Sequence, residues 1–322
     1  MVLLNEKFKS SLDVNLIHTL KHSNITCCVD ISLDDRLIAI GGDKLARVYD
    51  TGTGKEKFRF KIDPHGIDGK NYVRAVRFGN NGRYLAAGLQ DSRLILWQLQ
   101  SSGRRLKVFE GHEREIYGLA IAPDGYTAIT CSGDKTAQVW DLREETRSKP
   151  RAIFRATDEL LDVAISPDSR FVATGCLDNS VYLWSIQTGH LHQKFSAHED
   201  GVHSVRFSPD GQTLISASLD RSIMTWEIDP ADPRKYHSPQ PLKQMKLHQD
   251  FALCSLMTAN GRWILSSAKD HSVIFWDAET GDPHLVLLAH RRSVIELAVG
   301  HSSRIFATVS GDMTARIWSY SA

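Results

Sequence analysis

The stretch SGDKTAQVWD, residues 132–141, combines a turn signal with an alternating strand, and its pattern recurs along the chain. An aspartate is followed six positions later by an aromatic residue, and small or polar residues alternate with apolar ones between them, as in a β-strand. Six further segments share this spacing: GGDKLARVYD (41–50), LQDSRLILWQ (89–98), CLDNSVYLWS (176–185), SLDRSIMTWE (218–227), AKDHSVIFWD (268–277) and SGDMTARIWS (310–319).

The seven aspartates are separated by 48, 43, 44, 42, 50 and 42 residues. Turn segments such as APDGYT (122–127) and SPDGQT (208–213) divide each unit into short strands, and no long amphipathic helix is indicated. The period and the aromatic position resemble those of WD repeats. The sequence therefore predicts an all-β, seven-bladed β-propeller that occupies residues 1–322 as one domain, with blades repeating from about residue 22 to 320.

The N-terminal stretch DVNLIHTLKHSN, residues 13–24, has the pattern of an outer strand, yet no repeat precedes it. The last repeat ends at residues 319–322, directly after its third strand, so its outer edge would lack a partner. We therefore predict that residues 13–20 complete the seventh blade and close the ring.

Four repeats share a histidine, a hydroxyl residue, an aspartate and a tryptophan at fixed spacing. Together they predict a buried hydrogen-bond chain that holds each blade, and this structural role is favoured over a catalytic His/Asp site. The residues are His112, Thr130, Asp134 and Trp140; His198, Ser216, Asp220 and Trp226; His248, Ser266, Asp270 and Trp276; and His290, Thr308, Asp312 and Trp318.

Blades one, two and four depart from this pattern. Ile40 and Tyr49 replace the hydroxyl and the tryptophan in blade one, Ala87 replaces the hydroxyl in blade two, and Ala156 stands at the histidine position in blade four. We expect these three blades to open more easily than the others.

Composition limits the classes of function. With 39 basic and 38 acidic residues, the chain gives no support to direct nucleic-acid binding or to membrane attraction. Its five cysteines have no CxxC spacing, so neither a disulfide framework nor a zinc site is expected, and a reducing compartment fits best. No secretory signal and no apolar stretch long enough to span a bilayer is found.

Signals for an enzyme are weak. TGTGK (51–55) lacks the full spacing of a phosphate loop and is interpreted as a hairpin tip, and HLH (190–192) is interpreted as a solvated outer strand. No nucleophilic or paired-carboxylate set stands apart from the repeat. The sequence therefore favours a protein without enzymatic activity, cofactor or metal.

The turns that hold the histidines and the aspartates should lie at one end of the blades, which makes that end, the upper face, the expected binding surface. Tyrosine, aliphatic and arginine side chains there are typical of a peptide-binding hot spot. Leu161, Leu253 and Ile295 could equally be upper core residues of the inner strands. The residues expected on this face include Cys27, Tyr72, Arg74, Gln90, Tyr117, Leu177, His203, Leu253, Lys269 and Arg292.

Two insertions account for the long spacings. KIDPHGIDGKN (61–71) should project over the upper face beside Tyr72. DPADPRKYHSPQP (229–241) should join the third and fourth strands of blade five on the opposite face, as a solvated loop or a docking segment.

The ordered set of motifs resembles the propeller of the fungal Tup-type general transcriptional co-repressors. The motifs run from about residue 10 to the end and include ITCCVDIS, NYVRAVRF, GHEREIYGLAIAPDG, SLDRSIMTWEI, HQDFALCSL and FATVSGDMTARIWSY. The resemblance implies a nuclear, non-enzymatic adaptor, itself monomeric, which binds sequence-specific DNA-binding repressor proteins through its upper face and acts on chromatin through histone tails and histone deacetylases.

The resemblance also implies the upper-face contacts named above, apart from Arg74. Gln90 replaces an acid of the family, His203 a tyrosine and Arg292 an asparagine, and such changes alter which peptides are tolerated. The tetramerising helix of the family is absent, so the sequence is either an excised propeller or a reduced homologue. A different class, a cytoplasmic scaffold or ubiquitin-ligase substrate receptor, would share only the generic repeat.

Overall fold

The computed structural model of the protein describes residues 2–4, 12–63, 71–79, 82–100, 103–143, 149–228, 240–301 and 304–321. Throughout this part of the chain the regular elements are β-strands, arranged as seven antiparallel sheets. None of the described residues forms a helix that is long and apolar enough to cross a membrane. The expectation of a seven-bladed β-propeller is confirmed.

Each of blades one to four is formed by four consecutive strands, which follow one another from the central axis outward. Blade one contains β3 (Thr26–Ile31), β4 (Leu37–Gly42), β5 (Leu45–Asp50) and β6 (Glu56–Lys61). Blade two contains β7 (Val73–Gly79), β8 (Tyr84–Leu89), β9 (Leu94–Gln98) and β10 (Arg104–Phe109). Blade three contains β11 (Ile116–Ile121), β12 (Thr127–Ser132), β13 (Thr136–Asp141) and β14 (Ala152–Arg155), and blade four contains β15 (Leu160–Ile165), β16 (Phe171–Cys176), β17 (Val181–Ser185) and β18 (Leu191–Phe195).

Blades six and seven take additional strands from the N-terminus, whereas blade five does not. Blade five contains β19 (Val202–Phe207), β20 (Thr213–Ser218), β21 (Ser222–Glu227) and β22 (Lys243–Lys246). Blade six contains β23 (Ala252–Met257), β24 (Trp263–Ala268), β25 (Ser272–Asp277) and β26 (Pro283–Leu288), with β1 (Val2–Leu4) added outside β26. Blade seven contains β27 (Val294–Val299), β28 (Ile305–Ser310) and β29 (Thr314–Ser321), and its outer strand is β2 (Asp13–Lys21).

The hydrophobic core is divided among the spaces between neighbouring blades. Trp140 of blade three packs on Phe109 of blade two, with ring centroids 5.7 Å apart, and both side chains are almost fully buried. Comparable clusters fill each of the seven interblade spaces, including the one between blades seven and one. Both faces of every sheet are therefore covered, which explains why many middle strands are continuously apolar rather than alternating.

The predicted closing strand is confirmed. β2 pairs antiparallel with β29, with Val14 opposite Tyr320 and Leu20 opposite Ala315, and it extends one residue beyond the predicted boundary to Lys21. Leu20 is buried in the cluster between blades seven and one. The N-terminus therefore covers the edge that the last repeat leaves open.

The aspartate turn has the same backbone form in all seven blades. The residue after each aspartate has a positive φ although none of them is glycine; Lys135 at 68° and Arg221 at 70° are examples. In six blades the aspartate stabilises the turn by accepting the backbone N–H two residues further on, at 2.9 Å for Asp134 and Thr136. This local bond offsets the cost of the left-handed residue.

The fifth strand of blade six is a feature that the sequence did not indicate. β1 pairs antiparallel with β26, with Leu3 opposite Val286. Of the two predicted insertions, residues 64–70 and 229–239 lie outside the described residues. The interpretation of TGTGK as a hairpin tip is confirmed, because residues 51–53 form the turn between β5 and β6.

Candidate partner-binding mouth

The two kinds of turn lie at the same end of each blade, as expected. In blade two the backbone N–H of Gln90 donates to the carbonyl of Tyr72 at 2.9 Å, and in blade six Lys269 bonds to Phe251 in the same way at 2.9 Å. Each bond joins the residue before the turn aspartate to the residue before or at the start of the inner strand. The inner strands and the aspartate turns therefore open onto one surface, the upper face.

A cavity of about 530 Å³ lies at the centre of this face. We call it the upper mouth, and its lining residues are Ile25, Cys27, Tyr72, Arg74, Tyr117, Leu161, His203 and Ile295. Five of them were predicted as partner contacts. Ile25 was not predicted, although it stands directly before β3 as Tyr72 stands directly before β7. Leu161 and Ile295 are half-buried and line the cavity instead of being enclosed in the core.

The polar groups of the upper mouth are few and are held against aromatic surface. The guanidinium carbon of Arg74 lies 5.2 Å from the centroid of the Tyr72 ring, a cation–π contact. Arg74 Nε is buried and has no hydrogen-bond partner among the described residues. The mouth therefore presents a positive group next to an aromatic ring.

Burial raises the pKa of two other groups of the mouth further above physiological pH. It raises the pKa of the Cys27 thiol to about 11, although the nearby Arg74 opposes the shift. It also raises the pKa of Tyr117, and Glu115 and Glu159 reinforce that change. Cys27 and Tyr117 therefore present an uncharged thiol and an uncharged phenol to a ligand.

His203 is fixed in one orientation by the neighbouring blade. Its Nδ1 lies 2.7 Å from the carbonyl oxygen of Leu253, and because a carbonyl only accepts, Nδ1 must carry the proton and donate. Leu253 itself lines the narrower channel below the mouth. The predicted contacts His203 and Leu253 are therefore joined by this hydrogen bond, and His203, like Tyr117, lines both the mouth and the channel.

The other four predicted contacts lie on the rim and do not line the cavity. Gln90 is half-buried beside Tyr72, and Leu177 is 38% exposed. Lys269 is exposed and lies 5.1 Å above the Phe251 ring, and the exposed Arg292 accepts the Ser310 hydroxyl through its carbonyl at 3.3 Å. The predicted residues thus form a central group and an outer rim.

Below the mouth, charged residues from several blades meet across the central channel, and sequence reasoning missed this cluster. Glu296 Oε1 accepts from Arg77 at 2.8 Å and from Arg206 at 3.3 Å, while Arg206 also pairs with Asp162. The backbone N–H of Val29 donates to Glu296 Oε2 at 2.9 Å. These contacts connect blades one, two, four, five and seven.

The side chains of this cluster are only 11% to 19% exposed. Burial by itself would lower the pKa of Arg77, but Glu296 and Asp30 more than compensate and the pKa is raised above its usual value. The available signal was a charged residue inside an otherwise apolar inner strand. Such a residue does not indicate which charged side chains of the other blades it will contact.

The predicted histidine, hydroxyl, aspartate and tryptophan sets meet in four blades. In blade three the Trp140 N–H donates to Thr130 Oγ1 at 2.8 Å, Thr130 lies 2.7 Å from His112 Nε2, and His112 Nδ1 lies 2.7 Å from Asp134. Because tryptophan only donates and carboxylate only accepts, protons point in one direction from Trp140 to Asp134. The sets beginning at His198, His248 and His290 have the same connections.

These aspartates are held in the ionised form. Burial would raise the pKa of Asp134, but hydrogen bonds from His112 and Thr136 lower it to about 2. The groups are enclosed within the blade and none of them lines the upper mouth. The arrangement can therefore stabilise a blade, and it offers no reactive group to a ligand.

The three divergent blades differ in how far other residues replace the missing ones. In blade four, Thr157 and Tyr182 donate to Asp178 at 2.5 and 2.6 Å. In blade two, the Asn71 amide donates to Asp91 at 2.6 Å. These substitutes lie at other spacings, so the repeat pattern does not reveal them.

Blade one keeps an incomplete chain. His22 Nε2 has no partner within the described residues, and its ring lies 5.8 Å from that of Tyr49. Burial, assisted by Arg47, lowers the pKa of His22 to about 4. The easier opening of blades one, two and four stays a prediction. Blade one supports it best, because its polar chain is the least complete of the three.

The described residues contain no group of three or more His, Cys, Asp or Glu side chains placed to hold a metal ion. All five cysteines are free, and Cys28 is buried beside the half-buried Cys27, so the two point to opposite sides of β3.

Comparison with known proteins identifies the repeat and two relatives. The family model described as WD domain, G-beta repeat, matches residues 14–50, 57–98, 103–141, 148–185, 189–227, 239–277 and 281–319. The transcriptional repressor rco-1 of Neurospora crassa is 39% identical over 334 aligned positions, which cover 99% of this chain and 54% of that protein. Protein groucho of Drosophila melanogaster is 33% identical over 175 residues, 54% of this chain and 23% of that protein.

The chain thus spans about half the length of the first of these relatives and about a quarter of the second. The resemblance to the Tup-type propellers that the ordered motifs indicated is confirmed.

Proposed function

Because this chain belongs to the WD-repeat family, we propose that it is the protein-interaction propeller of a transcriptional co-repressor. Its upper mouth binds short peptide segments of DNA-bound repressor proteins. One of its relatives is a transcriptional repressor that matches nearly the whole chain, and this supports repression as the process in which it acts. Nuclear location and contact with histone tails and histone deacetylases are part of the same proposal.

The observation that carries the proposal is the composition of the upper mouth. It combines two tyrosines, aliphatic side chains and one arginine in a concave site that the described residues leave open. Aromatic and arginine side chains that surround a pocket are the usual anchors of peptide recognition. A bound segment would place an apolar or aromatic side chain against Tyr117 and Leu161 and an acceptor group near Arg74.

The test is a pull-down of repressor proteins from nuclear extract, with Tyr72→Ala and Tyr117→Ala variants. We expect each variant to lose at least tenfold in repressor recovery, because truncation of a central anchor removes most of its contact area. Tyr126→Ala is the matched control, since Tyr126 is a half-buried tyrosine that does not line the mouth.

Thermal melting of all three variants must show a folded protein. Unchanged recovery with folded Tyr72→Ala and Tyr117→Ala would overturn the proposal. Proximity labelling in the native cell separates the other class of function: recovery of chromatin factors supports the co-repressor, whereas cullin or translation components would identify a ubiquitin-ligase receptor or cytoplasmic scaffold.

A further inference from the structure

The outer strand of blade six differs in composition from the other outer strands. Its sequence is PHLVLL, without any Asp, Glu, Lys or Arg. The outer strands of the other blades all contain at least one such residue: EKFRFK in β6, RRLKVF in β10, AIFR in β14, LHQKF in β18, KQMK in β22 and DVNLIHTLK in β2. Charged residues on an edge strand discourage the addition of a further strand.

The uncharged edge is also the edge that carries an additional strand. β1 lies antiparallel along β26, with Val2 opposite Leu287 and Leu4 opposite Leu285. β26 has six residues and β1 pairs with three of them. A short strand of this kind forms few hydrogen bonds, so a longer segment that pairs along the whole of β26 can compete with it.

The exposed side chains of β26 define what would bind. Leu285 and Leu287 are buried in the core, whereas Val286 is half-buried and Leu288 is 43% exposed. Side chains directly opposite each other on adjacent strands contact one another. A strand beside Val286 and Leu288 would therefore meet two aliphatic side chains of a strand that contains no Asp, Glu, Lys or Arg.

We propose that the outer edge of blade six is a strand-addition site, filled by residues 2–4 of the chain itself, which an extended, uncharged aliphatic segment of a partner protein can occupy in their place. Main-chain hydrogen bonds to β26 provide the binding, and Val286 and Leu288 select aliphatic side chains. This site is on the perimeter of the ring and is separate from the upper mouth. If no partner strand binds at this edge, the proposed peptide binding at the upper mouth is not affected.

The experiment measures binding of a fluorescent peptide containing residues 1–8, MVLLNEKF, by anisotropy. The proteins are the full chain and a variant that lacks residues 2–4. We expect the deletion variant to bind the peptide at least tenfold more tightly than the full chain does, because its edge is open. A peptide with Leu3→Pro is the control and should bind neither protein, since proline cannot supply the strand N–H.

Amide hydrogen exchange locates the contact. Protection of residues 284–288 should fall in the deletion variant and return when the peptide is added. If the deletion variant dimerises and the peptide suppresses this dimerisation, the result would also support a strand-accepting edge. Equal binding to both proteins, or no binding to a folded deletion variant, would overturn the proposal.

The full chain with Leu3→Pro serves as a second open-edge variant. If neither it nor the deletion variant folds, residues 2–4 are an integral part of blade six that nothing can replace, and the proposal is wrong.

Discussion

At the scale of single residues, one hydroxyl group determines whether a blade has a complete polar chain. Thr130 accepts from Trp140 and donates to His112, so two buried partners depend on it. Thr130 itself is fully buried. If the Thr130 hydroxyl is removed, no water can easily replace it in this buried position. Trp140 and His112 then both lose a hydrogen bond.

Thr130→Val should therefore destabilise the protein although it hardly changes the shape of the side chain. Each buried polar group left without a partner costs about 1–3 kcal/mol, so we expect a loss of about 2–4 kcal/mol in the free energy of unfolding. Urea denaturation measures it. The exposed Thr188→Val is the control, and equal effects of the two substitutions would contradict a special role for the Thr130 hydroxyl.

The same chain predicts how stability depends on pH. The pKa of Asp134 is about 2 in the folded protein, below the ordinary value of 3.8, so folding favours the ionised carboxylate. Its contribution is complete above about pH 4 and is lost as pH falls through 2, and it is on the order of 1–2 kcal/mol.

Asp134→Asn should consequently be less stable than the natural chain at neutral pH, and the difference should narrow between pH 4 and pH 2. Denaturation curves across this range provide the measurement. Asp282→Asn, at an exposed position, is the matched control. A constant difference for Asp134→Asn would refute the assignment.

At the scale of elements, the outer strands show how one chain manages seven exposed edges. Most of these strands contain charges, and the edge of blade six is covered by β1. The open edge of blade seven is covered by β2, which starts nine residues after β1 ends. The N-terminal segment therefore covers the outer edges of the last two blades, six and seven.

Deletion of residues 1–20 should lower the free energy of unfolding by more than about 3 kcal/mol and reduce solubility. It removes the buried side chains of Leu12 and Leu20 and exposes the edge of β29. Thermal melting and sedimentation test the outcome. The deletion of residues 2–4 alone is the control, because it leaves β2 intact; a mild effect of the longer deletion would show that β2 is not required for closure.

At the scale of the whole molecule, the charge cluster in the channel connects blades that have no contact through their sheets. Glu296 of blade seven accepts from Arg77 of blade two and from Arg206 of blade five. It also holds the backbone of Val29 in blade one, across the closure of the ring. The closure is therefore supported twice, outside by β2 and inside by Glu296.

Glu296→Gln should lower the free energy of unfolding by about 3–5 kcal/mol, because it leaves two buried guanidinium groups without one of their counter-charges. Chemical denaturation measures the loss. Glu279→Gln, on an exposed turn, is the matched control and should change stability by less than about 0.5 kcal/mol. If the two variants are equally stable, the cluster does not hold the ring.

Much of the fold could be predicted because the repeat is local. The turn at Asp134, the strand that ends at Trp140 and the spacing to His112 lie within one unit, and each recurs often enough to be recognised. The upper mouth was predicted in part for the same reason: Arg74 and Tyr117 hold the same position, the second residue of successive inner strands. Thr157 and Asn71 were missed because they replace the pattern at other spacings.

The sequence alone determined the number of blades, the place of the closing strand and the end of the blades at which the histidine and aspartate turns lie, since each follows from a period or from a strand without a partner. Only the tertiary structure decided that Arg77, Asp162, Arg206 and Glu296 meet in one channel, and that residues 2–4 cover blade six. These residues lie far apart in the chain, and closure of the ring brings them within hydrogen-bond distance. A local pattern records which residues are present in each blade, but it does not record which of them face one another across the axis.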